Sequence, residues 1–223
     1  MVGPRGTILA KYLYHVKYVY RLKKLYTRTY GATVKKRSVK IAVVGPEGCG
    51  KTSFVHTNRF GKFNSEPSTG WCHFVDMNYE SVWKRQHKVE IWEATGEPEF
   101  IPSVFKEKSI IFCFDMSNAD SIEKLSGYVE SWMKSINIDD LSKVHSWLEV
   151  SKRCICIVGM KSDLKRRVSY QKIASFVNAM IPKYGVMLYD LRIQYFETSA
   201  KTGKNSMLPI HFILALHDPL KIL

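Results

Sequence analysis

Short apolar runs alternate with helical patterns along most of the chain. Strands are predicted at residues 40–44, 74–79, 88–92, 110–114 and 154–158, and a last short strand is predicted to end at Phe196. Helices are predicted at residues 51–60, 121–136, 170–180 and 207–216. This alternation is typical of an α/β fold, in which crossover helices connect the strands of a mostly parallel sheet. Residues 74–79 and 88–92 are expected to pair as a hairpin.

The first forty residues follow a different pattern. Over residues 7–30, basic side chains recur at helical spacing and apolar ones fall on the opposite face. The basic positions are Lys17, Arg21, Lys24 and Arg28, and the apolar positions are Tyr12, Val16, Val19, Leu22 and Tyr26. We therefore divide the chain into a basic, helical N-terminal extension at residues 1–38 and one α/β domain at residues 39–223.

Charge is concentrated in the same segment. Residues 1–40 hold eleven Lys and Arg and no acidic residue, within a chain whose net charge is +14. The rest of the chain has 23 basic and 20 acidic side chains, which is typical of a soluble domain. No apolar run is long enough to span a membrane, and no secretory signal is present. We expect an intracellular protein, either cytoplasmic or peripheral on a membrane.

The five cysteines are odd in number and scattered, and three of them fall in apolar runs. This distribution predicts reduced core thiols. Cys154 and Cys156 would share one face of a strand, which leaves metal binding there as a weaker alternative, but no second pair or His cluster completes a metal site.

One motif between a predicted strand and a predicted helix carries clear chemistry. Residues 45–52 (GPEGCGKT) match G-x-x-x-x-G-K-[ST], a loop whose backbone N–H groups surround a phosphate. Lys51 would supply a cation to the phosphate oxygens, and the Thr52 hydroxyl would ligate Mg²⁺. The candidate phosphate-loop residues are Gly45, Glu47, Gly48, Cys49, Gly50, Lys51, Thr52 and Ser53.

Three further segments, in the same order along the chain, resemble motifs of Ras-superfamily small GTPases of the Rab kind. Residues 88–96 (KVEIWEATG) are similar to K-L-Q-I-W-D-T-A-G, residues 161–163 (KSD) are similar to the end of N-K-x-D, and residues 197–201 are ETSAK itself. The resemblance covers residues 39–217. It implies a P-loop NTPase fold, with a six-stranded, mostly parallel sheet and helices on both faces, that binds GTP or GDP with Mg²⁺.

The resemblance also assigns roles to individual residues. Asp163 would accept two hydrogen bonds from the guanine edge, and the Ala200 N–H would meet the guanine carbonyl. Further nucleotide contacts are implied for Ser68, Gly96, Lys161, Ser199 and Lys201. The implied metal-site residues are Thr52, Ser68 (with Thr69 as the alternative) and Glu93, and the implied catalytic residues are Lys51, Gly96 and Glu97.

Several positions depart from the family pattern. Glu97 stands where the family has the Gln that orients the attacking water, so slow hydrolysis is expected. Glu47 replaces a small residue and would obstruct an arginine finger. Glu93 replaces an Asp near Mg²⁺, on a stem one methylene longer. Met160 replaces the Asn that tethers the base loop to the phosphate loop, so nucleotide affinity should fall.

Two functions fit these observations. The first is a Rab-like GTP/GDP switch in membrane trafficking that hydrolyses slowly and acts through a protein effector. The alternative is a pseudo-GTPase scaffold, docked into an assembly by its basic arm. No cysteine follows Cys156, so a prenyl anchor is not expected. Residues 7–30 could instead contact a membrane, direct organelle import, bind an acidic protein or, as a weaker interpretation, bind nucleic acid. A disordered tail without a partner is the remaining alternative.

Overall fold

The computed structural model describes residues 37–65, 72–80, 86–94, 109–135, 154–184 and 192–217. Its strands are β1 (Arg37–Val44), β2 (Cys72–Glu80), β3 (Gln86–Ala94), β4 (Ser109–Asp115), β5 (Cys154–Met160) and β6 (Arg192–Glu197). Its helices are α1 (Lys51–Phe60), α2 (Ser121–Ser135), α3 (Tyr170–Tyr184) and α4 (Leu208–His217). All the strands and helices predicted within this part of the chain are present.

The six strands form one sheet in the order β2-β3-β1-β4-β5-β6. β2 and β3 pair antiparallel, which confirms the predicted hairpin. All other neighbours are parallel. The carboxyl ends of β1, β4, β5 and β6 therefore meet at one edge of the sheet, where ligands bind in open α/β sheets. The prediction of a six-stranded, mostly parallel sheet is confirmed.

Two boundaries differ from the expected ones. β1 begins at Arg37, which pairs with His87, before its predicted start at residue 40. Strand pairing continues into this polar stretch, and the Ser38 hydroxyl donates to Glu90 Oε1 over 3.0 Å. The predicted helix of the N-terminal extension lies outside the described residues and stays a prediction. α3 continues to Tyr184, four residues past its predicted end at residue 180.

Helices cover both faces of the sheet, as predicted. On one face, α2 and α3 pack on the sheet, and Trp132 meets Phe112 edge-on with ring centroids 5.8 Å apart. On the other face, α1 contributes Phe54, and α4 contributes Ile210 and Ile213. β4 and β5 are buried along their whole length because they lie between the two layers. This explains why their sequences are continuous apolar runs.

The cysteines whose side chains are described, Cys49, Cys113, Cys154 and Cys156, are free and buried, as the sequence predicts. Burial raises the pKa of the Cys49, Cys113 and Cys156 thiols, so these side chains stay protonated in the core. Among the residues that the structure describes, no group of three or more His, Cys, Asp or Glu side chains could hold a metal ion. Within the same ranges, no helix is both long and apolar enough to cross a membrane.

Candidate functional site

The loop at residues 45–50 turns the chain sharply from β1 into α1. Gly48 and Gly50 have φ angles of +70° and +106°, which side-chain-bearing residues rarely adopt. A Cβ atom on Gly45 would lie 2.2 Å from the Cys113 carbonyl oxygen of the neighbouring β4. Gly50 is also the N-cap residue of α1, and having no side chain it leaves the first N–H groups of the helix uncapped. The loop therefore has the geometry of an anion site at a helix N-terminus.

Lys51 folds back into this loop. Its side chain is 5% exposed, and its Nζ donates to Gly45 O over 2.7 Å and to Pro46 O over 3.0 Å. Both acceptors are neutral carbonyl oxygens, so they orient the ammonium group without neutralising its charge. The loop thus holds a buried positive charge beside the N-terminus of α1, where a phosphate would bind.

Thr52 and Glu93 meet next to Lys51. The Thr52 hydroxyl donates to Glu93 Oε1 over 2.5 Å, and Glu93 is 1% exposed on β3. Two of the three predicted metal-site residues are therefore adjacent. The neighbouring Ser53 hydroxyl is directed elsewhere and donates to Asn64 O over 2.7 Å, which fixes the segment that follows α1.

The two segments that resemble guanine motifs lie side by side at the ends of β5 and β6. Ser199 is fully buried, and its hydroxyl donates to Asp163 Oδ1 over 2.5 Å. The backbone joins the segments as well, because the Ser162 N–H donates to Thr198 O over 3.0 Å and the Thr198 N–H donates to Gly159 O over 2.8 Å. The Asp163 carboxylate is exposed and held in one orientation.

The phosphate loop and this base loop are connected through Lys161. Its Nζ donates to Gly48 O over 2.7 Å and to Asp115 Oδ2 over 2.8 Å. Met160, which replaces the family's Asn, is buried and accepts a hydrogen bond from Thr198 Oγ1 at its sulfur over 3.2 Å. The loops therefore remain tied to each other although the Asn is absent.

The structure also identifies neighbours that the sequence patterns did not indicate. The Thr57 hydroxyl lies 3.2 Å from Ala200 O and 3.4 Å from Lys62 O, so the backbone next to Phe63 runs close to the base loop. Phe63 is 45% exposed there. An aromatic residue just after the helix-ending Gly61 was the only sequence signal for this position. Residues 115–118 (DMSN) resemble the family's sequence after its fourth strand, but that resemblance did not indicate the contact of Asp115 with Lys161.

The structure describes only some of the remaining predicted site residues. Ser68, Thr69, Gly96 and Glu97 lie outside the described residues, so the structure does not place the γ-phosphate side of the predicted site. Glu47 and Lys201 are exposed beside the two loops. The assigned binding and catalytic roles stay predictions.

Comparison with known proteins agrees with this geometry. The family model described as "Ras family" matches residues 40–215. The pig (Sus scrofa) protein Ras-related protein Rab-27A is 27% identical over 195 residues, which span 80% of this chain and 77% of that protein. Rab-32D of Dictyostelium discoideum is 28% identical over 175 residues, 76% of this chain and 69% of the relative. Human RhoD, a Rho-related GTP-binding protein, is 27% identical over 134 residues, 58% of this chain and 57% of the relative. Because the family match covers most of the chain, including both loops, the protein belongs to the Ras family of guanine-nucleotide-binding small GTPases and is Rab-like.

Proposed function

We propose that this protein is a GTP/GDP switch that binds its nucleotide with Mg²⁺ and hydrolyses GTP slowly. One observation carries the proposal: Lys161 joins the phosphate loop at Gly48 to the base loop that presents Asp163. A single nucleotide can therefore reach both loops at once.

At the phosphate end, the uncapped N–H groups of α1 and the Lys51 ammonium bind the anionic oxygens. At the base end, the Asp163 carboxylate accepts two hydrogen bonds from guanine, and the Ala200 N–H donates to the guanine carbonyl. Adenine lacks this donor pair. Ser199 keeps the carboxylate in place through its 2.5 Å hydrogen bond. Selectivity for guanine then depends on Asp163, and retention of the nucleotide depends on both loops.

The residues beside Lys51 fit Mg²⁺. Hydroxyl and carboxylate oxygens are the ligands this ion prefers, and the buried Glu93 carboxylate lies directly against the Thr52 hydroxyl. Thr52 would hold the ion, and Glu93 would orient Thr52 and the metal's water. The ion would offset the negative charge of the phosphate oxygens.

Slow hydrolysis is the sequence-based part of the proposal. Glu97 has the family position of the residue that orients the attacking water, and a carboxylate there repels the nearby phosphate charge. A single-turnover assay of GTP hydrolysis tests this, with Glu97→Gln as the variant. We expect the variant to hydrolyse GTP faster than the wild-type chain. An equal or slower rate would remove Glu97 as the cause of slow hydrolysis.

The decisive experiment is the nucleotide content and affinity of the purified protein. The protein is denatured, released nucleotide is identified by chromatography, and GDP, GTP and ADP are titrated with Mg²⁺. We expect guanine nucleotides to bind and ADP not to bind. Lys51→Ala should abolish binding, and Lys124→Ala, an exposed site on α2, should leave it unchanged. A protein that binds no nucleotide would be a pseudo-GTPase scaffold.

We also propose that residues 7–30 bring the switch to an anionic membrane surface, where it acts in vesicle trafficking through a protein effector. The support is the basic and apolar patterning of that segment together with its attachment. β1 begins at Arg37, at the strand end opposite the phosphate loop. Sedimentation with phosphatidylserine vesicles, but not with phosphatidylcholine vesicles, is the expected result. Binding to RNA in place of vesicles would overturn this proposal.

A further inference from the structure

α1 ends in an exposed aromatic side chain. Phe60 is the last residue of the helix, and its ring is 56% exposed, the largest exposed fraction among the large apolar side chains that the structure describes. An aromatic ring contributes a large apolar area when a partner covers it. Single exposed apolar residues are nevertheless common on protein surfaces, so the surroundings of the ring decide whether it is a docking point.

The Phe60 ring is held in place by its neighbours. The His56 ring, one helical turn earlier, lies 4.7 Å from it between centroids, and the Arg59 guanidinium lies over it at 4.9 Å from its centroid. His56 is fixed in turn, because its Nδ1 donates to Lys62 O over 2.8 Å. A side chain that is already ordered loses little conformational entropy on binding. These four residues, His56, Arg59, Phe60 and Lys62, form the α1-end patch.

The α1-end patch is positively charged. Arg59 and Lys62 are exposed, and neither has an ion-pair partner among the residues that the structure describes. Residues 51–65 include no Asp or Glu, so no acidic side chain of this segment offsets the two cations. Cations around an exposed ring attract an anionic partner and steer its approach.

The contacts of the ring distinguish between anionic partners. A nucleic-acid base stacks on a free aromatic face, whereas Arg59 and His56 already lie against the Phe60 ring and compete with a base for it. A guanidinium that is stacked on a ring keeps its N–H groups free to bind a carboxylate through two parallel hydrogen bonds. The hydrogens at the ring edge carry partial positive charge and also complement a carboxylate. The patch therefore favours a protein segment rich in Asp and Glu over a nucleic acid.

We propose that the α1-end patch is a docking surface for an acidic segment of a partner protein. Phe60 contacts an apolar side chain of that segment, Arg59 binds a carboxylate beside it, and Lys62 attracts the neighbouring acidic residues. None of the four patch residues lies in the phosphate loop or the base loop. The proposal thus goes beyond the nucleotide site, and docking needs no step of nucleotide chemistry.

A synthetic peptide serves as the probe. It is a short fluorescent peptide of Asp and Glu around a central pair of Leu residues, and its control has Asn and Gln in place of the acidic residues. Titrated into the isotope-labelled full chain, the acidic peptide should shift the NMR signals of residues 56–62. Shifts confined to residues 1–40, or equal shifts with both peptides, would overturn the proposal. So would single-stranded RNA or phosphatidylserine vesicles that bind at residues 56–62 in place of the peptide.

Substitutions within the patch test the same surface by fluorescence anisotropy. Phe60→Ala should weaken binding of the acidic peptide by about tenfold, as for an aromatic anchor of an interface, and Arg59→Glu should weaken it at least as much. Met207→Ala is the control for the ring, because it removes another exposed apolar side chain, just before α4. Lys124→Glu, on α2, makes the same change of charge as Arg59→Glu at a distant exposed position. Both controls should bind the peptide like the wild-type chain.

GDP affinity, measured on the same variants, separates this surface from the nucleotide site. Phe60→Ala and Arg59→Glu should keep the wild-type GDP affinity while they lose the peptide. Equal peptide affinity in Phe60→Ala and wild type, or equal losses in Arg59→Glu and Lys124→Glu, would mean that the α1-end patch is not the docking surface. A wild-type chain that binds the peptide but no GDP would instead overturn the proposed function and leave this inference standing.

Discussion

Thr52 and Glu93 are 41 positions apart in the sequence, and the hydroxyl of one donates to the carboxylate of the other across 2.5 Å. Thr52 lies in the first turn of α1, and Glu93 lies near the end of β3, which pairs with β1 in register through Val43. The longer stem of Glu93 therefore still brings a carboxylate to the hydroxyl expected to hold Mg²⁺. We therefore expect the metal dependence of nucleotide release to be sensitive to Glu93.

The substitution Glu93→Gln should weaken the effect of Mg²⁺. Glutamine can still accept the Thr52 hydroxyl, but it carries no charge to orient the metal's water. Loss of such a supporting group typically lowers metal affinity by about ten- to a hundredfold. GDP release measured with Mg²⁺ and with EDTA should therefore differ much less in the variant than in the wild-type chain. Glu90→Gln, on the same strand but paired with Lys88, serves as the control. Equal Mg²⁺ effects in wild type and Glu93→Gln would contradict this role.

Phe63 and Phe60 are two exposed aromatic residues that should affect GDP release differently. Both rings are exposed, at 45% and 56%, but only the backbone beside Phe63 is held near the base loop through Thr57. If Phe63 packs on the guanine base, Phe63→Ala should accelerate GDP release by about tenfold or more, since stacking of a base on an aromatic ring contributes about 1–3 kcal/mol. Phe60→Ala should not alter release. Thermal unfolding of the nucleotide-free protein should change little in either variant, and equal release rates would argue against stacking.

The fold was predictable from local patterns. The runs at residues 110–114 and 154–158 are apolar throughout because β4 and β5 lie between two helical layers, and such runs can be read from the sequence. The phosphate loop was predictable for a similar reason, because glycine spacing, lysine and threonine are contiguous in sequence. Only the ends of some elements differ from the prediction; α3, for example, continues to Tyr184.

The connections within the site were not predictable in this way. The contact of Lys161 with Gly48 spans 113 positions, and that of Thr57 with Ala200 spans 143. No periodicity relates residues so far apart, and Lys161 could have paired with any nearby carboxylate. The ion pair of Lys161 with Asp115 at the end of β4 likewise depends on strand order, which only the three-dimensional structure provides.

Stability should also depend on pH through His211. Its ring lies on α4 against Tyr79, with centroids 5.2 Å apart, and burial lowers its pKa from the usual 6.5. The unfolded chain then binds a proton more readily than the folded chain, so this histidine destabilises the fold as pH falls below 6.5. His211→Gln should therefore lose less unfolding free energy than wild type between about pH 7.5 and about pH 5.5. Tyr79→Phe keeps the ring contact and should retain the wild-type pH dependence. Identical pH profiles for His211→Gln and wild type would exclude His211 as the source.

Two glycines of the phosphate loop should respond differently to alanine. At Gly48 nothing lies within 4 Å of the position that a Cβ atom would take, but φ is +70°, so Gly48→Ala should cost about 1–2 kcal/mol of left-handed strain. At Gly45 the Cβ would lie 2.2 Å from Cys113 O, and that carbonyl cannot move freely because β4 is paired on both sides. Gly45→Ala should therefore destabilise the protein by about 3 kcal/mol or more, beyond a typical overpacked site. Denaturant unfolding of the nucleotide-free variants measures both changes. Equal losses would mean that the loop can shift away from β4, and that this close approach does not fix the phosphate loop.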